Sequence, residues 1–261
     1  MKATVIVAVY NRDDYIPVVL NSLVSQVFDE FQVVIAEDGC SESIRSIVST
    51  YKNKFLFPIV HVTQKDEGFR KNRILNEAIR QSSGDYLVFI DGDCVLHPKY
   101  LSNYMMRAEE GRCLFGRRVM LDEKTTKSLV LKKDVSRLGF FRLIFSGCRK
   151  KEEAIYFPFL PLKPKKGVFG CSFCVARKDI VAINGFDEDF ESPFYGEDTD
   201  IERRLILSGV KTYSTKFATI QYHLFHDPGD RRRDWKRSQA LYEAKAKKRL
   251  SVCQNGLVPM K

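Results

Sequence analysis

The first ninety residues repeat one pattern: a short, almost unbroken apolar run, then a stretch with apolar residues at helical spacing. The runs are "ATVIVAVY", "FQVVIAE", "FPIVHV" and "YLVFID". Continuous apolar character rich in β-branched residues is expected of strands buried on both faces. Between them, Asp13 to Ser25 carries Ile16, Leu20 and Leu23, and Ser41 to Tyr51 carries Ile44, Ile47 and Val48. Phe69 to Gln81 carries Ile74, Ala78 and Ile79. Strand and helix in strict succession predict an α/β fold, a Rossmann-like, mostly parallel sheet with helices on both faces.

In such sheets ligands bind beyond the C-terminal ends of the strands. Those ends carry Asn11, Arg12 and Asp13, then Asp38 and Gly39, then Lys65 to Arg70, and finally Asp91 to Asp93. Taken together they form one polar, acid-rich rim. After Pro98, which suits a helix start, the alternation stops. "CLFGRRVML" reads as one further strand. Residues 131–166 hold 10 Lys or Arg and three acids. Pro158, Pro161 and Pro164 recur there every third residue, which favours an extended loop. A helix is expected from about Glu197 to Leu207, ended by Gly209.

With 261 residues the chain has room for one large domain or two small ones. No apolar run approaches the roughly 18 residues that span a bilayer. The N-terminal apolar run ends in charge rather than a cleavage site, so it reads as a strand, and a cytoplasmic protein is expected. The seven cysteines have no regular spacing, which argues against a disulfide framework. The net charge of +10 is one-sided: residues 1–130 hold 17 basic and 17 acidic residues, and the remainder carries the whole excess. Such a basic half suits an anionic partner: a phosphate-bearing substrate, a membrane or a nucleic acid.

Three clusters suggest chemistry. Asp91 and Asp93 are two apart in extended chain, so both carboxylates point the same way. Gly92 between them allows close approach of a large group. Paired carboxylates at a strand end suit a hard divalent cation that also meets phosphate oxygens. As an isolated pair they would more readily make a solvated turn, and only the other clusters favour the cation. In "YGEDTDIERRL", Glu197, Asp198 and Asp200 crowd a helix start. Capping there is worth roughly 0.3–1 kcal/mol each and accounts for Asp200 or Thr199. The surplus suggests a carboxylate base for an attacking hydroxyl. His223 and His226, in "YHLFHD", either pack beside aromatics or complete the metal sphere begun by Asp93. With Cys171 and Cys174 they could instead form a zinc site, but a chain this long needs no metal staple. Arg70, Lys71 and Arg73 are candidates for diphosphate oxygens, with Lys71 equally suited to a solvated helix face.

"VIVAVYNRDDYIPVVLNSLVSQ", "VVIAEDG", "GFRKNRILNEAI", "GDYLVFIDGDC" and "NGFDEDF…GEDTDIERRLILSGVK" occur in the order seen in family 2 glycosyltransferases. The chain resembles that family over residues 4–226, and within it the bacterial lipopolysaccharide and capsule type with a galactosyltransferase-like C-terminal module. The resemblance implies a GT-A fold with a smaller mixed acceptor-binding region. It also implies inverting transfer of a hexose or N-acetylhexosamine from a UDP-sugar, with Mn2+ or Mg2+, to a lipid-linked surface saccharide. By the same likeness Val9, Asn11, Arg12, Asp38, Asp91 and Gly92 would hold the nucleotide sugar, with Asp38 on the uracil edge. Asp93 would ligate the metal, joined by Asp91, His226 and His223. Asp198, beside Glu197, would be the general base. Where the family usually has arginine in "ARN", this chain has Leu75, which shifts phosphate binding to Arg70 or Arg73. Where it usually has "GWGGED", this chain has "PFYGED", so Phe194 or Tyr195 would face the acceptor.

The resemblance divides the chain into a nucleotide-sugar-binding half (1–115), an acceptor-binding and catalytic half (116–226) and a basic helical tail (227–261). Residues 131–166 and 227–261 hold 10 basic residues each. With Phe140, Phe141 and Trp235 they could place the protein peripherally on an anionic membrane face. A non-catalytic glycan- or nucleic-acid-binding protein would explain the charge but not the acidic rim, so nucleic acid is not expected. A nucleotidyltransferase on a similar sheet would leave the "GED" helix without a purpose.

Overall fold

The computed structural model describes residues 2–135, 138–192, 196–227 and 235–259. Four strands and three helices alternate at the start. They are β1 (Ala3–Val9), α1 (Ile16–Val24), β2 (Phe31–Asp38), α2 (Glu42–Lys52), β3 (Ile59–Gln64), α3 (Lys71–Arg80) and β4 (Tyr86–Asp91). Then come β5 (Cys94–Leu96), α4 (Tyr100–Met105), β6 (Arg112–Phe115), β7 (Arg117–Met120), α5 (Glu123–Lys132) and α6 (Phe140–Leu143). The second half continues with β8 (Lys163–Pro164), β9 (Ser172–Ala176), α7 (Arg177–Ala182), α8 (Glu197–Leu207), β10 (Lys211–Ser214), β11 (Ile220–His223) and α9 (Trp235–Lys247).

Eight strands form one sheet in the order β3-β2-β1-β4-β9-β6-β10-β8. The first four are parallel, as their apolar runs predict, while β9 runs antiparallel between β4 and β6. Alternate side chains feed two cores. Val5, Val7 and Val9 pack with α1, α2 and α4, whereas Ile6, Val34 and Phe89 pack with α3, α7 and α8. Burying a Val, Leu, Ile or Phe side chain stabilises by roughly 1.5–3 kcal/mol, so two filled faces hold the sheet firmly. β9 and β10 belong to the same sheet as β1–β4, so the two expected halves share a sheet and a core.

The expected strand "CLFGRRVML" is two strands in two sheets. β6 lies in the large sheet, and β7 joins β11 and β5 in a second, three-stranded sheet. The break falls at Gly116, where a Cβ would lie 2.6 Å from Ser172 Oγ and 2.7 Å from Thr219 Oγ1. Only a residue without a side chain lets the chain cross at that point. Among the described residues of the basic loop 131–166, the regular elements are α5's last residues, α6, a 3-10 turn at Lys151–Ala154 and β8. The C-terminal residues are more than a tail: after α9 the chain docks on the loop following α7. Asn184 Nδ2 donates to the carbonyls of Cys253 at 2.9 Å and Val258 at 2.8 Å. No helix among the described residues is long and apolar enough to cross a membrane.

Candidate active site

β4 ends in Asp91, and the next two residues turn the chain. The Gly92 N–H donates to Ala8 O at 2.7 Å, and a Cβ at 92 would lie 3.1 Å from Ala8 O and Val9 Cγ2. The end of β1 thus leaves little room for a side chain at 92, a constraint beside the approaching ligand that the sequence suggests. Asp93 comes next, and its carbonyl accepts from the Leu224 N–H at 2.8 Å. β11 pairs antiparallel with β5, setting His223 opposite Cys94. Beyond it, Phe225 O accepts from Tyr15 Oη at 2.5 Å, and the Phe225 N–H donates to Thr126 Oγ1 at 2.8 Å.

These contacts bring both histidines onto one carboxylate. Asp93 Oδ2 lies 3.3 Å from His223 Nε2 and 3.2 Å from His226 Nε2. Ligand-type atoms of the three residues lie within 4.8 Å of one another. Burial alone would raise the Asp93 pKa, but the two imidazoles bring it to about 2. Burial lowers the pKa of His223 against the pull of Asp93, whereas the hydrogen bond to Asp93 raises that of His226. His223 Nδ1 is buried without a partner, and His226 Nδ1 lies 3.3 Å from Asp227 O. A carboxylate with two imidazoles is a fitting donor set for a divalent cation.

A cavity of about 340 Å³ runs from Asp93 and His226 past Asp91, Gly92 and Val9 to Asp38 and Phe69. Asp38 is buried and already oriented: Oδ1 accepts from Gln64 Nε2 at 2.7 Å and Oδ2 from the Arg70 N–H at 2.8 Å. Beside it, the buried Glu37 holds His61 Nε2 at 2.7 Å and the Ser41 N–H at 2.6 Å. Sequence reasoning missed that pair because Glu37 reads only as the polar end of a strand. Arg12 lines the cavity with its guanidinium 4.9 Å from the Tyr15 ring centroid. Asn11 is exposed, in a left-handed conformation (φ 48°) between two lining residues, and does not itself line the cavity.

The expected phosphate ligands are placed elsewhere. Arg70 Nη1 pairs with Glu67 at 2.6 Å and its other nitrogen meets the Lys65 carbonyl; Arg73 is exposed on α3. Neither side chain lines the cavity: Glu67 holds Arg70, which precedes the helix, and Arg73 lies two helical steps, about 200°, round from Lys71. Lys71 reaches it instead. Its ammonium lies 2.9 Å from Asp91 Oδ1 and 3.0 Å from Glu197 Oε1. Burial works against its charge, but the two carboxylates raise its pKa well above the ordinary value. For Glu197, burial and the neighbouring Asp198 raise the pKa despite Lys71. Leu75, in the place of the family's arginine, is buried in the core beneath α3.

Asp198 sits at the start of α8, accepting from the N–H groups of Thr199 at 2.8 Å and Gly170 at 3.3 Å. It flanks the cavity rather than lining it. Asp200 is no helix cap: it is buried and pairs with Arg204 Nε at 2.6 Å and Arg203 Nη2 at 2.7 Å. Phe194 and Tyr195 lie outside the described residues. Cys171 and Cys174 do not join the histidines; Asp93, His223 and His226 form the metal-competent group found among the described residues.

A family model described as "Glycosyl transferase family 2" matches residues 4–179, and one described as "N-terminal domain of galactosyltransferase" matches residues 158–227. Poly(ribitol-phosphate) beta-N-acetylglucosaminyltransferase TarS of Staphylococcus aureus is 34% identical over 105 residues, 40% of this chain and 18% of that protein. Chondroitin synthase of Escherichia coli is 24% identical over 239 residues, 84% of this chain and 34% of that protein. The chain therefore spans about a fifth to a third of these relatives. Among solved structures, TarS 1-349 in complex with UDP-GlcNAc superposes with a TM-score of 0.64 at 18% identity, covering 94% of this chain and 66% of that one. The mannosyltransferase PcManGT of Pyrobaculum calidifontis, in complex with GDP-Man and Mn2+, gives 0.62 at 16% identity, covering 95% and 64%. At such identities the likeness establishes the fold, which is the expected GT-A architecture.

Proposed function

The chain belongs to glycosyl transferase family 2, and from that premise we propose that it moves a hexose or N-acetylhexosamine from a UDP-sugar to a hydroxyl of a bacterial surface glycan, with inversion. The observation that carries the reading is the convergence of Asp93, His223 and His226 at one end of a cavity whose other end is Asp38. TarS, named for transfer of N-acetylglucosamine to poly(ribitol-phosphate), has a structure holding UDP-GlcNAc, which supports a uridine donor and a cell-surface acceptor.

In this reading Asp38 accepts from the uracil edge, and Val9, Arg12 and Gly92 line the donor's path. Asp93, His223 and His226 hold a divalent cation, with Asp91 beside them. A mixed carboxylate and imidazole set suits Mn2+ better than Mg2+, which prefers oxygen. When bound, such an ion neutralises the negative charge that grows on the departing diphosphate. Lys71 adds a fixed positive charge on the same side, taking the place given to Arg70 and Arg73. Asp198 accepts the proton of the acceptor hydroxyl as its oxygen bonds to the anomeric carbon; the electron pair of the broken bond leaves with UDP. Glu197, tied to Lys71, positions the start of α8.

A peripheral position on an anionic, lipid-bearing surface fits the fully exposed side chains of the basic loop. Leu131, Phe141 and Phe145 are 82%, 82% and 95% exposed, and nearby Lys and Arg residues each gain roughly 1 kcal/mol at such a surface. Phe140, by contrast, packs partly on the core.

Calorimetry tests the central reading. UDP is expected to bind with Mn2+ and to weaken by more than about tenfold when the ion is chelated. A panel of nucleotide sugars should show ion-dependent hydrolysis of a UDP-sugar. Equal UDP affinity with and without the ion would reject the role given to Asp93.

A further inference from the structure

β3 is an edge strand of the large sheet, and its last residue, Gln64, pairs in register with Asp38 at the end of β2. In-register neighbours on adjacent strands point to the same face. That face also carries Ala36, which lines the cavity together with Asp38. Gln64 is not among the lining residues; it stands beside Asp38 and holds it. Its Nε2 donates twice, to Asp38 Oδ1 at 2.7 Å and to the Arg70 carbonyl at 3.0 Å. Both partners are acceptors, which fixes the way round that the amide sits. The Arg70 N–H closes the set by donating to Asp38 Oδ2 at 2.8 Å. Gln64 and Arg70 thereby fasten the stem of the loop 65–69, whose Gly68 and Phe69 line the cavity. The Gln64 backbone is pinned from the other side by its bridge to Gly39.

Asp38 is 4% exposed, and its donors among the described residues are a side-chain amide and a backbone N–H, both neutral. A carboxylate offers about four lone-pair sites, so two donors leave acceptor capacity for a ligand in the cavity. With one donor on each oxygen the carboxylate cannot turn, and it is set up to accept. A ligand edge meets it well only by presenting an N–H. Uracil does so with N3–H at the centre of its edge, whereas cytosine presents a bare N3 lone pair at that place. Two acceptors facing each other in a buried site leave both unmet, and such a site rejects the wrong partner strongly.

We propose that Gln64 is a positioning residue that sets the choice of base. By donating to Asp38 and Arg70 at once, it holds the carboxylate and the 65–69 loop in the arrangement that takes uracil and turns cytosine away. This rests on the uridine donor proposed above and adds the origin of its selection. Gln64 acts through Asp38 and is given no contact with the reacting atoms.

UDP and CDP are titrated by calorimetry, with Mn2+ present, into the full chain and into Gln64→Leu and Gln64→Glu. The first variant removes the donor at similar size; the second keeps the shape and turns the donor into an acceptor. The unaltered chain is expected to bind UDP about tenfold or more tightly than CDP. In both variants the preference should fall toward parity through lost UDP affinity. Mn2+ binding, read by electron paramagnetic resonance, should stay unchanged, because the cation cluster lies at the other end of the cavity. Thermal midpoints on the same samples separate folding from selection. A residue that serves only the fold would weaken both nucleotides alike, so a lower midpoint with an unchanged preference overturns the proposal. Equal binding of UDP and CDP by the unaltered chain overturns it too. GDP, whose N1–H also needs an acceptor, distinguishes this failure from that of the donor reading. A chain that binds GDP and neither pyrimidine nucleotide sinks the uridine donor. Gln64 then stands if both variants lose GDP and falls if they keep it. A chain that binds none of the three sinks both.

Discussion

Lys71 holds two carboxylates, Asp91 and Glu197, that come from opposite halves of the chain. Lys71→Gln would leave both acids facing each other without a cation. UDP affinity is then expected to fall roughly tenfold, with recovery in Lys71→Arg. Calorimetry decides, and unchanged affinity would confine Lys71 to a structural role. Asp198→Asn should bind UDP as before but lose about 10²- to 10⁴-fold in turnover; near-normal transfer would remove it as the base. At this scale the sequence was legible where residue types are rare and closely spaced. Asp91 with Asp93, and His223 with His226, stand out only together: each pair alone reads as a turn or a packed histidine, and their meeting at Asp93 is what the fold adds. Lys71 did not, because a lysine on the first turn of an amphipathic helix looks the same whether its ammonium meets water or a buried acid. Which of Arg70, Lys71 and Arg73 faces inward depends on the helix's rotation, and only packing sets that.

Two elements explain how distant residues meet. The three-stranded sheet β5-β11-β7 supplies none of the residues lining the candidate cavity, yet it sets His223 opposite Cys94 and so both imidazoles at Asp93. The β–α alternation was readable from apolar spacing, but this sheet was not. Its strands are three or four residues long, and "CLFGRRVML" looks continuous until Ser172 and Thr219 crowd Gly116. Helix α8 likewise owes its placement to a contact that its sequence disguises as capping. Arg204 donates to Asp200 and to the carbonyls of Ile183 and Gly185 at 2.7 and 2.8 Å, pinning α8 to the end of α7. Asp200→Asn leaves a buried guanidinium short of its counter-charge. A loss of about 3–5 kcal/mol is expected, read as a lower urea midpoint with unchanged slope. A loss below about 1 kcal/mol would mean that the neighbouring carbonyls alone hold Arg204.

For the whole molecule, one eight-stranded sheet runs through both halves, and residues 245–258 dock on the loop after α7. Lys245 Nζ bridges Asp187 and Asp189 at 2.6 Å each, and Cys253 and Asn255 follow onto the same loop. Composition concealed this docking: the segment reads as basic and polar, while the groups that seat it are backbone carbonyls. Ending the chain at Lys247 strips the Asn184 side chain of three hydrogen bonds, to Cys253 O, Val258 O and the Val258 N–H, and its carbonyl of the Leu257 N–H. A stability loss of about 2–4 kcal/mol is expected, seen as a lower thermal midpoint, with the cavity intact enough to bind UDP. An unchanged midpoint would show that the segment only rests on the surface. The metal-competent cluster has a different dependence on chain length. Asp93 precedes its imidazoles by 130 residues and more, and they reach it only through β11. A ribosome that has finished the first four strands has therefore made a sheet with no complete cation site. On the function proposed above, a nascent or prematurely ended chain is expected to stay inert toward a nucleotide sugar until residue 226 has left the exit tunnel and β11 has found β5.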